Sequence, residues 1–291
     1  MATPFATPRA RALGFGLRTC REARNLGVRQ LARKIGVHAQ ELSNWEYGKR
    51  IPKVEQVALL MGVLVVEPGE RARLLELAHT ARELSWLEKA VPGVAPSASS
   101  YAENERAATA IFDWEPAVIP GLFQTPDYIR ALLSGQEQPE RIERVVHARL
   151  ARREVLTRHD PLDYHVLVGE GAVRAEVGGA SVMVEQLRHL LRASMRRNIR
   201  LQVLPMRASA QAVTHNFGVL EFEALPEIVF VELHRASAYL YDADQVASYR
   251  AAAKTMAALA MDEHKSGEFI REVIADLERQ HDLAEIDLQR N

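Results

Sequence analysis

Residues 39–52 read AQELSNWEYGKRIP, and the chemistry these side chains offer is recognition of bases, not bond-making. Gln40, Ser43 and Asn44 are spaced i, i+3, i+4, which on a helix sets three uncharged polar side chains on one face. Amides of this kind pair with adenine N6 and N7, and a major groove about 12 Å wide admits one α-helix. Leu42 and Trp45 point the other way, into a core. Cations are wanted at the flanks of such a helix, where phosphates lie. Lys49 and Arg50 follow it, and Arg29 and Arg33 sit on the preceding helical stretch. Base contacts are therefore expected from Gln40, Ser43 and Asn44, and backbone contacts from Arg29, Arg33, Lys49 and Arg50. Glu41 would repel phosphate; it could accept from cytosine N4 or, as expected, point aside.

Positioning these residues requires a second helix laid across the first, and the flanking sequence supplies one. Residues 9–89 read as nearly all helical, in short pieces. Leu13, Leu17, Cys20 and Ala23 form one apolar stripe, which stops before Gly27. Val28, Leu31, Ala32 and Ile35 form a second, stopped by Gly36, and the helix with Leu42 and Trp45 ends at Gly48 and Pro52. Val54–Gly62 and Pro68–Leu87 add two more. Helix, turn and helix at this length is the geometry that lets the second of the pair enter a groove.

The stretch LRTCREARNLGVRQLARKIGVHAQELSNWEYGKRIP resembles the helix-turn-helix of the phage-repressor-like XRE family. The resemblance implies an ion pair between Arg21 and Glu46 that joins the first helix to the end of the recognition helix. The family's WE-x-GKR-x-P segment is present as Trp45, Glu46, Gly48, Lys49, Arg50 and Pro52. Val28 stands where Gln is common, and His38 where Ser or Thr usually caps the recognition helix. The second half carries its own likeness. WEPAVIPGLFQTPDYIRALL, LDYHVLVGEGAVRAEVGG, VMVEQLRHLL, IRLQVLP and FVELHRASAYLYD, in that order, resemble a C-terminal domain of uncharacterised function found in actinobacterial, antitoxin-like regulators.

Charge is segregated along the chain. The net charge of the 291 residues is −1, yet residues 1–60 hold 11 Lys/Arg against 4 Asp/Glu. A basic head on an acidic body is the layout of a DNA-binding module attached to something that does not bind DNA. A single cysteine, Cys20, rules out an intramolecular disulfide and fits a reducing cytosol. The longest apolar run, Val57–Val66, is ten residues, against the roughly 20 that a membrane span needs. With no signal-peptide hydrophobic region at the N-terminus, a cytoplasmic protein is expected.

VPGVAPSASS, residues 91–100, is the expected linker. The expected organisation is an all-α helix-turn-helix domain over 1–90, then an α+β regulatory and dimerisation domain over 101–291. In that second part the sequence predicts helices at 126–133, 139–158, 180–195, 243–260 and 263–285. Strands are predicted at 163–168, 199–204, 218–223 and 228–233. Trp114, Phe123, Tyr128, Tyr239 and Tyr241 are candidates to line a ligand pocket there, or to pack a core. An arginine-rich helix carries Arg141, Arg144, Arg149, Arg152, Arg153 and Arg158, which could contact DNA or an acidic partner but is expected on a solvated face or a domain interface.

No HExxH, CxxC, GxSxG, Walker or GxGxxG pattern occurs, so no catalytic residue, metal or cofactor is expected. Glu170, Glu221 and Glu232, at predicted strand ends, read as solvated edges. The chain is expected to be a homodimeric, sequence-specific transcriptional regulator acting on a double-stranded DNA operator. Its body would sense a small-molecule effector or a small protein partner. The competing reading is an antitoxin-like protein that sequesters such a partner and autoregulates its own operon.

Overall fold

The structure is a computed structural model, and it describes residues 7–81, 87–89, 97–135, 137–223, 225–233 and 236–290. Contacts divide the chain into two compact units. One takes in the chain up to Ala108 with Phe222–Ile228 and Leu233–Tyr241; the other takes in Thr109–Glu221, Val229–Glu232 and the chain from Asp242 on.

The first unit is built on α1 (Pro8–Ala23), α2 (Val28–Ile35), α3 (Ala39–Glu46), α4 (Val54–Val63) and α5 (Pro68–Thr80), followed by β1 (Leu87–Lys89) and α6 (Ser97–Ala107). Residues 91–96 of the expected linker lie outside the described residues, and 97–100 open α6. Pro8 takes the first helical position of α1 while the Thr7 hydroxyl accepts from the Ala10 N–H at 3.1 Å and donates to the Ala81 carbonyl at 2.8 Å. One hydroxyl thus starts the first helix and fixes the end of the fifth. Leu13, Leu17, Leu31, Leu42, Leu60 and Leu74 are all at most 1% exposed and form the core with Trp45. Each is worth about 1.5–3 kcal/mol by transfer from water, and together they hold five short helices that would not persist alone. α1 and α3 approach closely: a Cβ on Gly14 would lie 2.4 Å from the Trp45 carbonyl oxygen. β1 pairs antiparallel with a strand at Ala236–Leu240.

The second unit is α+β. Its elements are β2 (Ala110–Glu115), α7 (Pro126–Leu133), α8 (Pro139–Arg152), β3 (Asp163–Gly169), α9 (Glu170–Arg174), α10 (Ala180–Ser194), β4 (Ile199–Leu204), β5 (Phe217–Glu221), most of β6 (Ile228–Leu233), α11 (Ala243–Leu259) and α12 (Glu263–Arg290). The strand order is β6-β5-β2-β3-β4. β2, β3 and β4 are parallel, and β5 runs antiparallel to β2. β3 is buried from Tyr164 on except at the half-buried His165, and its last four residues are buried in succession, as expected for a parallel strand covered on both faces. The helix predicted over 139–158 ends at Arg152, and a 3₁₀ turn, Arg153–Leu156, completes the stretch.

Candidate nucleic-acid interface

The recognition element is assembled by the ends of its helices. α2 starts at Gly27, whose N–H donates to Gln30 Oε1 at 2.8 Å, and stops at Gly36 in the left-handed region at φ 72°. α3 starts after His38, which makes no side-chain cap bond, and its first turn carries Glu41. A carboxylate in the first turn is favoured by the helix dipole, so Glu41 serves α3 from within. α3 closes at Tyr47 and Gly48, the latter at φ 64° with its α-carbon against α1: a Cβ there would sit 2.9 Å from Arg11 Cα.

Leu42, Trp45 and Glu46 are buried on the inner side of α3. Glu46 is 5% exposed and Arg21 7%. Arg21 donates from Nε to Glu46 Oε1 at 2.6 Å and from Nη2 to Oε2 at 2.8 Å, the fork geometry of a bidentate pair. Its remaining arm, Nη1, donates to the Leu26 carbonyl at 2.7 Å. The guanidinium thereby ties α1, the turn before α2 and the end of α3 together. The hydrogen bonds that Arg21 donates to Glu46 raise its pKa, so the cation is held.

The outer side carries the polar residues. Gln40 is exposed, and Ser43 and Asn44 are half-buried. Gln40 Nε2 donates to Asn44 Oδ1 at 3.3 Å, so the two amides lie side by side, one turn apart. Arg29 and Arg33 on α2, and Lys49 and Arg50 after α3, are all exposed. Arg33 Nε is turned onto the Arg29 carbonyl at 3.3 Å. The Arg50 N–H donates to the Asn44 carbonyl at 3.1 Å, which fixes the backbone of the cationic turn against the helix it follows. Tyr47 was not expected in this set. Its ring, 40% exposed, lies under two cations, with Arg18 Cζ 5.5 Å and Lys49 Nζ 5.6 Å from its centroid. An aromatic beside a Gly-Lys-Arg cluster was the available signal.

The aromatic residues proposed for a pocket are divided between the units. Trp114, Phe123 and Tyr128 are at most 3% exposed in the second. Trp114 Nε1 donates to the Val213 carbonyl at 2.8 Å, Phe123 packs on Tyr164 at 5.3 Å, and the Tyr128 hydroxyl accepts from the Ile119 N–H at 3.1 Å. Tyr239, 2% exposed, and the half-buried Tyr241 belong to the first. In the arginine-rich segment, Arg149 donates to the side-chain oxygen of Gln124 and Arg153 to its carbonyl. Glu170 accepts from the Met206 N–H and from Arg174 Nε, at 2.8 and 2.9 Å, and Glu221 pairs with Arg250. Among the described residues no helix is long and apolar enough to cross a membrane.

A buried core face, an exposed amide face and flanking cations on a short second helix define a helix-turn-helix protein. Residues 12–74 match a family described as a helix-turn-helix domain, which suggests a DNA-binding regulator. Residues 98–272, more than half of the chain, match the domain of unknown function DUF5753, and the chain belongs to that family. Comparison with curated proteins and with solved structures finds no match.

Proposed function

We propose that the protein is a sequence-specific transcriptional regulator of the XRE type, allied to the antitoxin-like regulators of actinobacteria, and that it acts in the cytoplasm as a homodimer without catalytic activity of its own. The observation that carries this reading is the exposed Gln40–Asn44 amide pair on a helix locked from behind by Arg21 and Glu46. Gln40, Ser43 and Asn44 contact base edges; Arg29, Arg33, Lys49 and Arg50 hold the phosphates. A single small head buries too little surface for tight binding, and a two-fold dimer addresses half-sites about 34 Å apart. The DUF5753 domain then supplies dimerisation and the response to a small-molecule or protein signal. That signal must bind the DNA-competent and incompetent states unequally to shift them.

The test starts from DNA protection beside the protein's own gene, followed by binding to the protected sequence and to random DNA. Gln40→Ala or Asn44→Ala is expected to cost about 1–3 kcal/mol on the operator and little elsewhere. Equal losses on both DNAs would remove these residues as readers. Arg50→Ala is expected to weaken binding to every sequence and to flatten the salt dependence.

A further inference from the structure

Arg11, on α1, is 4% exposed. Nη1 donates to the Pro226 carbonyl at 2.5 Å, and the guanidinium carbon lies 5.1 Å from the centroid of the Phe222 ring. Both contacts come from the segment Phe222–Ile228, which belongs to the same compact unit. Nε and Nη2 are also buried, and among the described residues neither has a hydrogen-bond partner. These two nitrogens share one edge of the guanidinium plane. Arg21 presents the same edge to Glu46. Among the described residues the unit therefore contains two guanidiniums buried to this degree, one with that edge filled by a carboxylate and one with it unpaired.

An open edge of this kind is costly, because donors of a charged group removed from water forfeit their hydration without return. Burial draws the Arg11 pKa down from its ordinary value to about 10, as it does for a cation with no anion beside it. Its orientation is fixed on one side by the Pro226 carbonyl and across its face by Phe222, so the open edge is preorganised.

We infer that the Nε/Nη2 edge of Arg11 is a binding site for the carboxylate of a small organic ligand, with the Phe222 ring beside it. A carboxylate matches the fork geometry. As a monoanion it also costs less to take out of water beside an aromatic ring than a phosphate dianion does. Arg11 Cα is the atom that a Cβ on Gly48 would strike at 2.9 Å, so the backbone that carries this side chain packs against the turn that closes α3 and leads into Lys49 and Arg50. In the regulator reading this is an effector site, and only that clause rests on the reading above.

The test uses the full chain without DNA, so its outcome and that of the operator experiment are independent. Calorimetry and thermal melting are measured with acetate and benzoate against acetamide and benzamide, with inorganic phosphate as a further arm. The expected result is saturable binding of benzoate, tighter than acetate, a rise in melting temperature, and no binding of the amides. Benzoate is also expected to slow amide hydrogen exchange in α1 and in 222–228. Arg11→Met, which keeps the stem and removes every donor, is expected to melt no lower than the parent and to weaken benzoate at least about tenfold. Amides binding as well as acids, phosphate binding tighter than benzoate, protection elsewhere in the chain, or no saturation by about 10 mM each overturn the inference. These arms decide it even where a variant fails to fold; in a folded Arg11→Met, unchanged affinity also overturns it.

Discussion

Glu46→Gln is the sharpest perturbation of the head, because it changes charge with almost no change of shape. The side chain of Glu46 is 2% exposed and that of Arg21 9%, so the substitution leaves a guanidinium out of water without its anion. Removing one partner of a buried ion pair costs about 3–5 kcal/mol, whereas replacing both by apolar groups is often neutral. Two contacts soften the loss here. Arg21 keeps the Leu26 carbonyl at 2.7 Å, and Nη2 reaches the half-exposed Glu22 at 3.3 Å. The lower end, about 3 kcal/mol, is therefore expected. Arg21→Met/Glu46→Leu is expected to return to within about 1 kcal/mol of the parent, giving a coupling energy of several kcal/mol. Because the chain has two units, the readout is native-state hydrogen exchange of amides in α1 and α3, which reports the opening of the head itself. A loss under about 1 kcal/mol in Glu46→Gln, or a double variant as unstable as the single, refutes the argument that desolvation and not geometry dominates this pair.

Two further expectations concern the second unit and the direction of its response to pH. The Glu115 carboxyl is pushed well above the usual carboxylate range by burial first, then by Asp113 and Glu232. The unfolded chain therefore releases this proton before the folded one does, and stability falls as pH rises from 4.5 towards the folded value. Glu115→Gln is expected to raise the melting temperature at pH 8 more than at pH 5, and an equal effect at both removes the carboxylate as the cause. His165 titrates below its ordinary 6.5, chiefly through burial, which outweighs its hydrogen bond to Gln202. Its Nε2 lies 2.8 Å from Gln202 Oε1, while Gln202 Nε2 donates to the Met261 carbonyl at 3.0 Å, so the neutral ring carries its proton on Nε2. The folded chain binds fewer protons than the unfolded one here, and stability is lost as pH falls through 6.5. Melting of His165→Gln between pH 7.5 and 5.5 is expected to fall less than that of the parent; an identical fall assigns the acid response to other groups.

The helices of the head were legible because their inner faces are apolar at helical spacing and their ends carry Gly27, Gly36 and Gly48. α6 was not, and its packing explains why. Its buried residues include Glu103, Asn104 and Glu105, at 9, 1 and 1% exposure, beside Tyr101 at 8%, so the face it buries is largely polar and one tyrosine makes no hydrophobic stripe. Its first turn, SASS, reads as linker chemistry. Arg73 meets Glu103 at 3.4 Å, and Arg106 lies over Phe15 at 5.8 Å, contacts that charge patterning along one segment cannot reveal. β2 escaped for a related reason: AIFDWE neither alternates cleanly nor forms an apolar run, and parallel pairing with β3 on one side and antiparallel pairing with β5 on the other define it. Arg11 was invisible as well. In a basic segment one more arginine reads as a phosphate contact, and only its burial beneath Phe222 and Pro226 sets it apart.

His38 and Glu41 show how two local irregularities in the recognition helix compensate. With a hydroxyl at position 38 the first N–H groups of α3 would be capped, and a carboxylate in that turn would be dispensable. His38 makes no such bond, so the orphan donors of the first turn keep their partial positive charge. Glu41 lies in that turn, where a negative charge is worth about 0.3–1 kcal/mol. A carboxylate that is a liability on a phosphate-facing surface is thus an asset to a helix that lacks its cap. Gln40 and Asn44 meanwhile remain one turn apart and bonded to each other. The flanking cations lie on α2, at Arg18 of α1 and beyond Gly48. The resulting surface is uncharged at Gln40, Ser43 and Asn44 and positive at its margins, and that charge distribution suits the proposed entry of a short helix into a groove better than a uniformly basic one.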